Sequence, residues 1–109
     1  MRSLFKSLDY GQGKITCLEE DLSAADSLAS QIALLREDLL QVEYKAGAYV
    51  LDVGWYPSGD ETGAFGIVIV ENGDWESPLY RWHTRDRDTL KTTLEEAVTI
   101  LGHLSSGCC

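Results

Sequence analysis

The sequence predicts an α+β fold: a single antiparallel β-sheet meander of three to four strands, packed on one face by an N-terminal and a C-terminal helix. Three observations predict it. Between Tyr49 and Thr84 apolar side chains recur at every second position, the period of a strand. On either side of that region, Ala25, Leu28, Ile32 and Leu35, and then Leu90, Leu94, Ala97, Val98 and Leu101, recur at three- and four-residue spacing, the period of a helix. The β segments are joined by short turns, which make neighbouring strands antiparallel. With 109 residues, 44% of them hydrophobic, the chain has the size and composition of one folded domain, taken as 1–109.

Residues 1–21 are the poorly defined part: Leu4, Phe5 and Leu8 suit one face of a short helix, and Gly11-Gln12-Gly13 interrupts it. Ile15-Thr16-Cys17-Leu18 reads either as a short strand or as the approach to the next helix. Ser23 is a candidate N-cap with Asp26 three residues on, and it opens the first predicted helix, which ends near Glu37. Leu40–Tyr44 then alternates as a strand, although a helix running on to Tyr44 fits the spacing as well. Lys45–Ala48 resembles a hairpin loop, and Tyr49–Tyr56 is a strand whose odd positions are the larger apolar ones. After the loop Pro57–Gly63, the run Phe65–Val70 is apolar on both faces, as a central strand is. Asn72-Gly73 signals a turn, Leu79–Thr84 reads as the last strand, and Asp86 caps the C-terminal helix. Gly102 marks the expected stop of that helix, leaving 103–109 as a frayed tail.

Composition excludes several functions. With 18 Asp+Glu against 9 Lys+Arg, the net charge of −9 opposes direct binding to nucleic acid or to an anionic membrane and favours a basic partner. No run approaches the roughly 18 apolar residues of a membrane span, and the first residues lack the apolar core of a signal peptide. The three cysteines do not form a disulfide framework, and a cytoplasmic location is expected. Gly11-Gln12-Gly13-Lys14 lacks the flanking residues of a phosphate loop, with Leu8 and Ile15 standing in the required positions. His83 and His103 with no Cys-x-x-Cys give too few ligands for a metal centre, so no metal and no cofactor are expected. Nothing beside Cys17 lowers its pKa, and the neighbouring Glu19, Glu20 and Asp21 would raise it. No catalytic constellation emerges, and the chain does not read as an enzyme.

The informative feature is the placement of charge. Between Lys45 and Tyr80 stand six acids, Asp52, Asp60, Glu61, Glu71, Asp74 and Glu76, against the single base Lys45. Trp55, Tyr56, Trp75, Tyr80 and Trp82 are interleaved in or next to this region. Rings supply buried anchors and carboxylates steer a basic protein, so Asp52, Tyr56, Asp60, Glu61, Glu71, Asp74, Trp75, Glu76 and Trp82 are the candidate partner-binding residues. The alternative is that Trp55 and Trp82 are core and the acids only solubilise. Asp52, in mid-strand, is the sharpest of the set. If its face is buried it needs a partner such as Arg81; if exposed, it shares a concave surface with Tyr56, Val68 and Tyr80.

The stretch Tyr49-Val-Leu-Asp-Val-Gly-Trp-Tyr-Pro57 followed by Gly73-Asp-Trp-Glu76 resembles bacterial immunity proteins of polymorphic and contact-dependent growth inhibition toxin systems. The resemblance covers residues 38–101. It implies a protein inhibitor, active as one monomer in a heterodimer with the basic nuclease domain of a cognate toxin, often a tRNA-cleaving one. Two other functions compete with it. An α-β-β-β-α order is that of double-stranded-RNA-binding domains, for which Arg81, Arg85, Arg87 and Lys91 supply the only basic run. A small ligand-binding domain would use the sheet face as a cleft.

Overall fold

The computed structural model describes residues 4–6, 8–23 and 26–105. Five strands form one sheet: β1 (Lys14–Leu18), β2 (Leu40–Tyr44), β3 (Tyr49–Tyr56), β4 (Ala64–Glu71) and β5 (Tyr80–Thr84). They are antiparallel throughout and lie side by side in chain order. The meander is therefore as expected, and the strand count is one higher. The added strand is β1, which pairs with β2 around a register shift between Ile15 and Cys17. Its alternation was too short to separate strand from helix approach.

One helix, α1 (Arg87–Ser105), packs on the sheet against β3, β4 and β5. Leu90, Leu94, Ala97 and Leu101 are buried, as the spacing requires. Asp86 caps it, its Oδ2 accepting the Thr89 backbone N–H at 2.9 Å and the Thr89 hydroxyl at 2.7 Å. Gly102 does not stop the helix. It sits exposed with open space around it, and the last turn continues to Ser105. Residues 103–105, expected to fray, are helical, and Ser106–Cys109 of the expected tail lie outside the described residues.

Among the described residues of 23–37 the expected N-terminal α-helix is not formed. In its place is a six-residue 3-10 segment, Ala29–Leu34, with non-helical dihedrals at Gln31. The apolar stripe did identify the inward side, since Leu35 is buried and Leu28 and Ile32 pack against the core; Ala25 lies outside the described residues. Serine chemistry redirected the backbone. Ser23 Oγ accepts the Asp26 N–H at 3.2 Å, Ser27 Oγ accepts the Ser30 N–H at 3.2 Å, and the Ser30 hydroxyl donates to the Ser27 carbonyl at 2.7 Å. Such local bonds compete with helix bonds. Gln31 is buried and donates to the carbonyls of Ser23, Asp26 and Ser27 while accepting the Ser23 N–H.

Register separates two faces. Toward α1 point Leu40 and Val42 of β2, Leu51, Val53 and Trp55 of β3, and Phe65, Ile67 and Ile69 of β4, all buried. Leu4, Phe5, Tyr10, Leu22, Leu35 and Leu39 from the N-terminal third complete this core. The opposite face carries Gln41, Asp52, Val68 and Arg81 in one cross-strand row, and Gly54, Gly66 and His83 in a second. No helix covers this second face among the described residues.

Candidate functional site on the open sheet face

The open face holds a groove of about 260 Å³ lined by Asp52 and Tyr56 of β3, Gly66 and Val68 of β4, Arg81 and His83 of β5, and Trp75 and Pro78 of the β4–β5 loop. Local backbone chemistry sets the turns that align the strands and aim the loop. The β2–β3 turn is carried by left-handed Lys45, Ala46 and Gly47, with φ of 54°, 55° and 91°. Asn72 and Gly73 take φ of 53° and 73°, turning the chain out of β4 into the loop that brings Trp75 to the groove.

Gly54 and Gly66 are cross-strand partners, and Tyr56 occupies the space their missing side chains leave. A Cβ on Gly66 would lie 3.2 and 3.3 Å from Cδ2 and Cε2 of the Tyr56 ring. A Cβ on Gly54 would lie 2.8 Å from the Tyr56 hydroxyl and would run into the carbonyl oxygen of Glu37. The ring is therefore laid across the sheet face with its hydroxyl directed back along β3, and it remains 45% exposed. Trp75, on the loop, is 47% exposed.

The β3 side of the groove is anionic. Burial, and then the charge of Asp38, push the Asp52 carboxyl up to about 6, opposed by a hydrogen bond from the Val53 backbone N–H. Burial again, then Asp52, Glu37 and Asp38, push the Tyr56 phenol upward. The Cys17 thiol is raised as well, by burial first and then by Asp38, Asp52 and Glu19. Arg36, the cation adjacent in sequence to Glu37, is held instead by Glu19, with Nη2 2.6 Å from its Oε1. Among the described residues the ion pairs are Lys6–Glu20 and Arg36–Glu19, so Asp52 has no cation bound to it. Arg81, its suggested partner, lies two strands away in the same row with Val68 between them, and no ion pair joins the two.

The nine candidate residues do not form one surface. Asp52, Tyr56 and Trp75 share the groove. Asp74 and Glu76 flank Trp75 on the exposed loop. Asp60 and Glu61 belong to the 57–63 loop that joins β3 to β4 and do not line the groove. There the Asp60 carboxylate accepts the Thr62 N–H and hydroxyl at 2.8 and 2.7 Å, and Glu61 lines a second cavity beside Trp55 and Arg85. Glu71 ends β4 with the parity of the core face, opposite Tyr49, whose phenol is pushed up by burial and then by this carboxylate. Trp82 pairs with Ile67 and packs against the core, on the helix side. Its ring stacks on Tyr80 at 5.6 Å, which removes both rings from the face of Asp52. A period of two places Trp82 and Asp52 on opposite faces once register is known, and register was the missing quantity.

Sequence reasoning left out Glu37, Asp38 and His83 as contributors. Glu37 and Asp38 precede β2, and only tertiary pairing carries them to β3, where the Trp55 N–H bonds the Arg36 carbonyl at 2.8 Å. His83 was legible as an outward strand residue two positions from Arg81. Among the described residues no group of three or more His, Cys, Asp or Glu could hold a metal ion, and no helix is long and apolar enough to cross a membrane. Comparisons with family models, with curated proteins and with solved structures each found no match.

Proposed function

We propose that this chain is an immunity-type protein: a stoichiometric inhibitor that neutralises a cognate basic nuclease toxin, often of the tRNA-cleaving class, by one-to-one binding in the cytoplasm. The observation that carries the proposal is the sheet face that no helix covers among the described residues, where two half-exposed rings, Tyr56 and Trp75, rim a carboxylate with no cation bound to it. Exposed aromatics beside unneutralised charge are the makings of a binding hot spot. The net charge of −9 adds long-range attraction for a phosphate-gripping, basic surface and speeds capture. The partner surface centres on Asp52, Tyr56 and Trp75 with Asp74 and Glu76 at its rim, while Asp60, Glu61, Glu71 and Trp82 fall outside it.

The double-stranded-RNA alternative drew on an α-β-β-β-α order, and the order among the described residues, five strands with one α-helix after them, gives it less support than the inhibitor reading. The test of the proposal mixes the purified chain with the nuclease domain encoded beside its gene. A one-to-one complex by calorimetry and complete loss of RNA cleavage at equimolar inhibitor are expected. Cleavage that persists at a tenfold excess of inhibitor, taken as roughly saturating for a tight complex, refutes it.

A further inference from the structure

The groove on the open face is bipolar. Its β3 side carries Asp52, with Glu37 and Asp38 close enough to raise the neighbouring phenol. Its β5 side carries Arg81 and His83, both exposed. The floor between them, on β4, is Gly66 and Val68, which offer no charge. Asp52 and Arg81 occupy one cross-strand row with Val68 between them, so their backbones are two strand spacings apart, roughly 10 Å. No ion pair joins them, and neither residue makes one with any other side chain among the described residues. Each charge therefore faces the groove uncompensated. A purely basic occupant would satisfy Asp52 and set a like charge beside Arg81. A purely acidic one would do the reverse.

We infer that this groove takes a bipolar peptide segment of a protein partner, in which a lysine or arginine side chain meets Asp52 and an aspartate or glutamate side chain meets Arg81. In an extended segment, residues two apart project from one face about 7 Å from each other, and long side chains diverge to cover the remaining span. The basic side chain passes between the exposed rings of Tyr56 and Trp75, whose faces attract a cation. The inference rests on the proposed function only in taking its ligand to be a protein.

The test titrates the isotope-labelled full chain, followed by NMR, with acetyl-Lys-Ala-Glu-amide and acetyl-Glu-Ala-Lys-amide, and with versions in which Gln replaces either charged residue. At least one bipolar peptide is expected to move the amides of Asp52, Gly66, Val68 and Arg81 and to bind about fivefold more tightly than either singly charged version. Asp52→Asn should erase the preference for the base, and Arg81→Gln the preference for the acid. Equal binding by all peptides, or shifts that leave these four amides unmoved, overturns the inference. A second arm separates it from the function. A toxin neutralised equally by the wild type and by the Asp52→Asn, Arg81→Gln double variant overturns the groove's role and leaves the immunity function standing. A wild type that discriminates the peptides yet fails against the toxin supports the groove and sinks that function.

Discussion

Gly54 shows how closely the open face is built around its aromatic ring. Any side chain there meets the Glu37 carbonyl and the Tyr56 hydroxyl, and the carbonyl belongs to backbone that cannot swing aside. Gly54→Ala should therefore lower stability by about 3 kcal/mol in urea unfolding, well beyond the ordinary Gly-to-Ala effect. Asp52 acts in the opposite sense. Its native carboxyl titrates near 6, above the ordinary aspartate value, because burial and Asp38 disfavour the charge. The native state thus holds a proton that the unfolded chain has already lost. Stability from this group is full below the unfolded pKa and declines as pH rises to about 6. Asp52→Asn should stabilise the protein at pH 8 by up to about 1 kcal/mol, allowing for solvent screening, and change little at pH 4. A melting-temperature difference that does not vary with pH would contradict this.

At the scale of elements, the Gln31 amide is the hub of the hydrogen bonds that hold the start of the 23–35 segment. Gln31 makes hydrogen bonds to Ser23, Asp26 and Ser27, and the Arg87 guanidinium, at the start of α1, also bonds the Ser23 carbonyl at 3.0 Å. Gln31→Leu keeps the volume and removes every one of those amide bonds, so it should cost about 2–3 kcal/mol, measured by chemical denaturation. Amide exchange should quicken first in residues 26–35 and later in β3 and β4. The alternation of β3 and β4, and the stripe of α1, were legible because each buries one face and carries a long, consistent period. The 23–37 stripe had the same period, but its serines and Gln31 offered the backbone local partners, and a stripe cannot report that competition.

For the whole molecule, charge is the dominant property. A chain of net charge −9 meeting a basic partner should associate at a rate that falls about tenfold between low salt and about 0.5 M, while dissociation changes far less. Stopped-flow mixing over a salt series measures both. A salt-independent association rate would remove steering from the mechanism. The acidic residues do not act as one patch, however. A meander sends successive loops to opposite ends of the sheet, so the acids at 60–61 and those at 74–76 sit on different connections, and only the second of these brings a residue, Trp75, to the groove.

The sequence by itself determined the antiparallel meander, the C-terminal helix with its Asp86 cap, the turns at Lys45–Ala48 and Asn72-Gly73, and the acidic, aromatic character of the strand region. These follow from period, turn chemistry and charge count, all of which are local. Tertiary structure alone decided which of those charges and rings meet. Strand register put Tyr80 and Trp82 against the core side and Asp52, Val68 and Arg81 in one row on the other. The return of the 36–38 segment to β3 brought further carboxylates to Asp52. Facing and proximity depend on hydrogen-bond pairing between distant parts of the chain, and a one-residue change in that pairing exchanges the two faces.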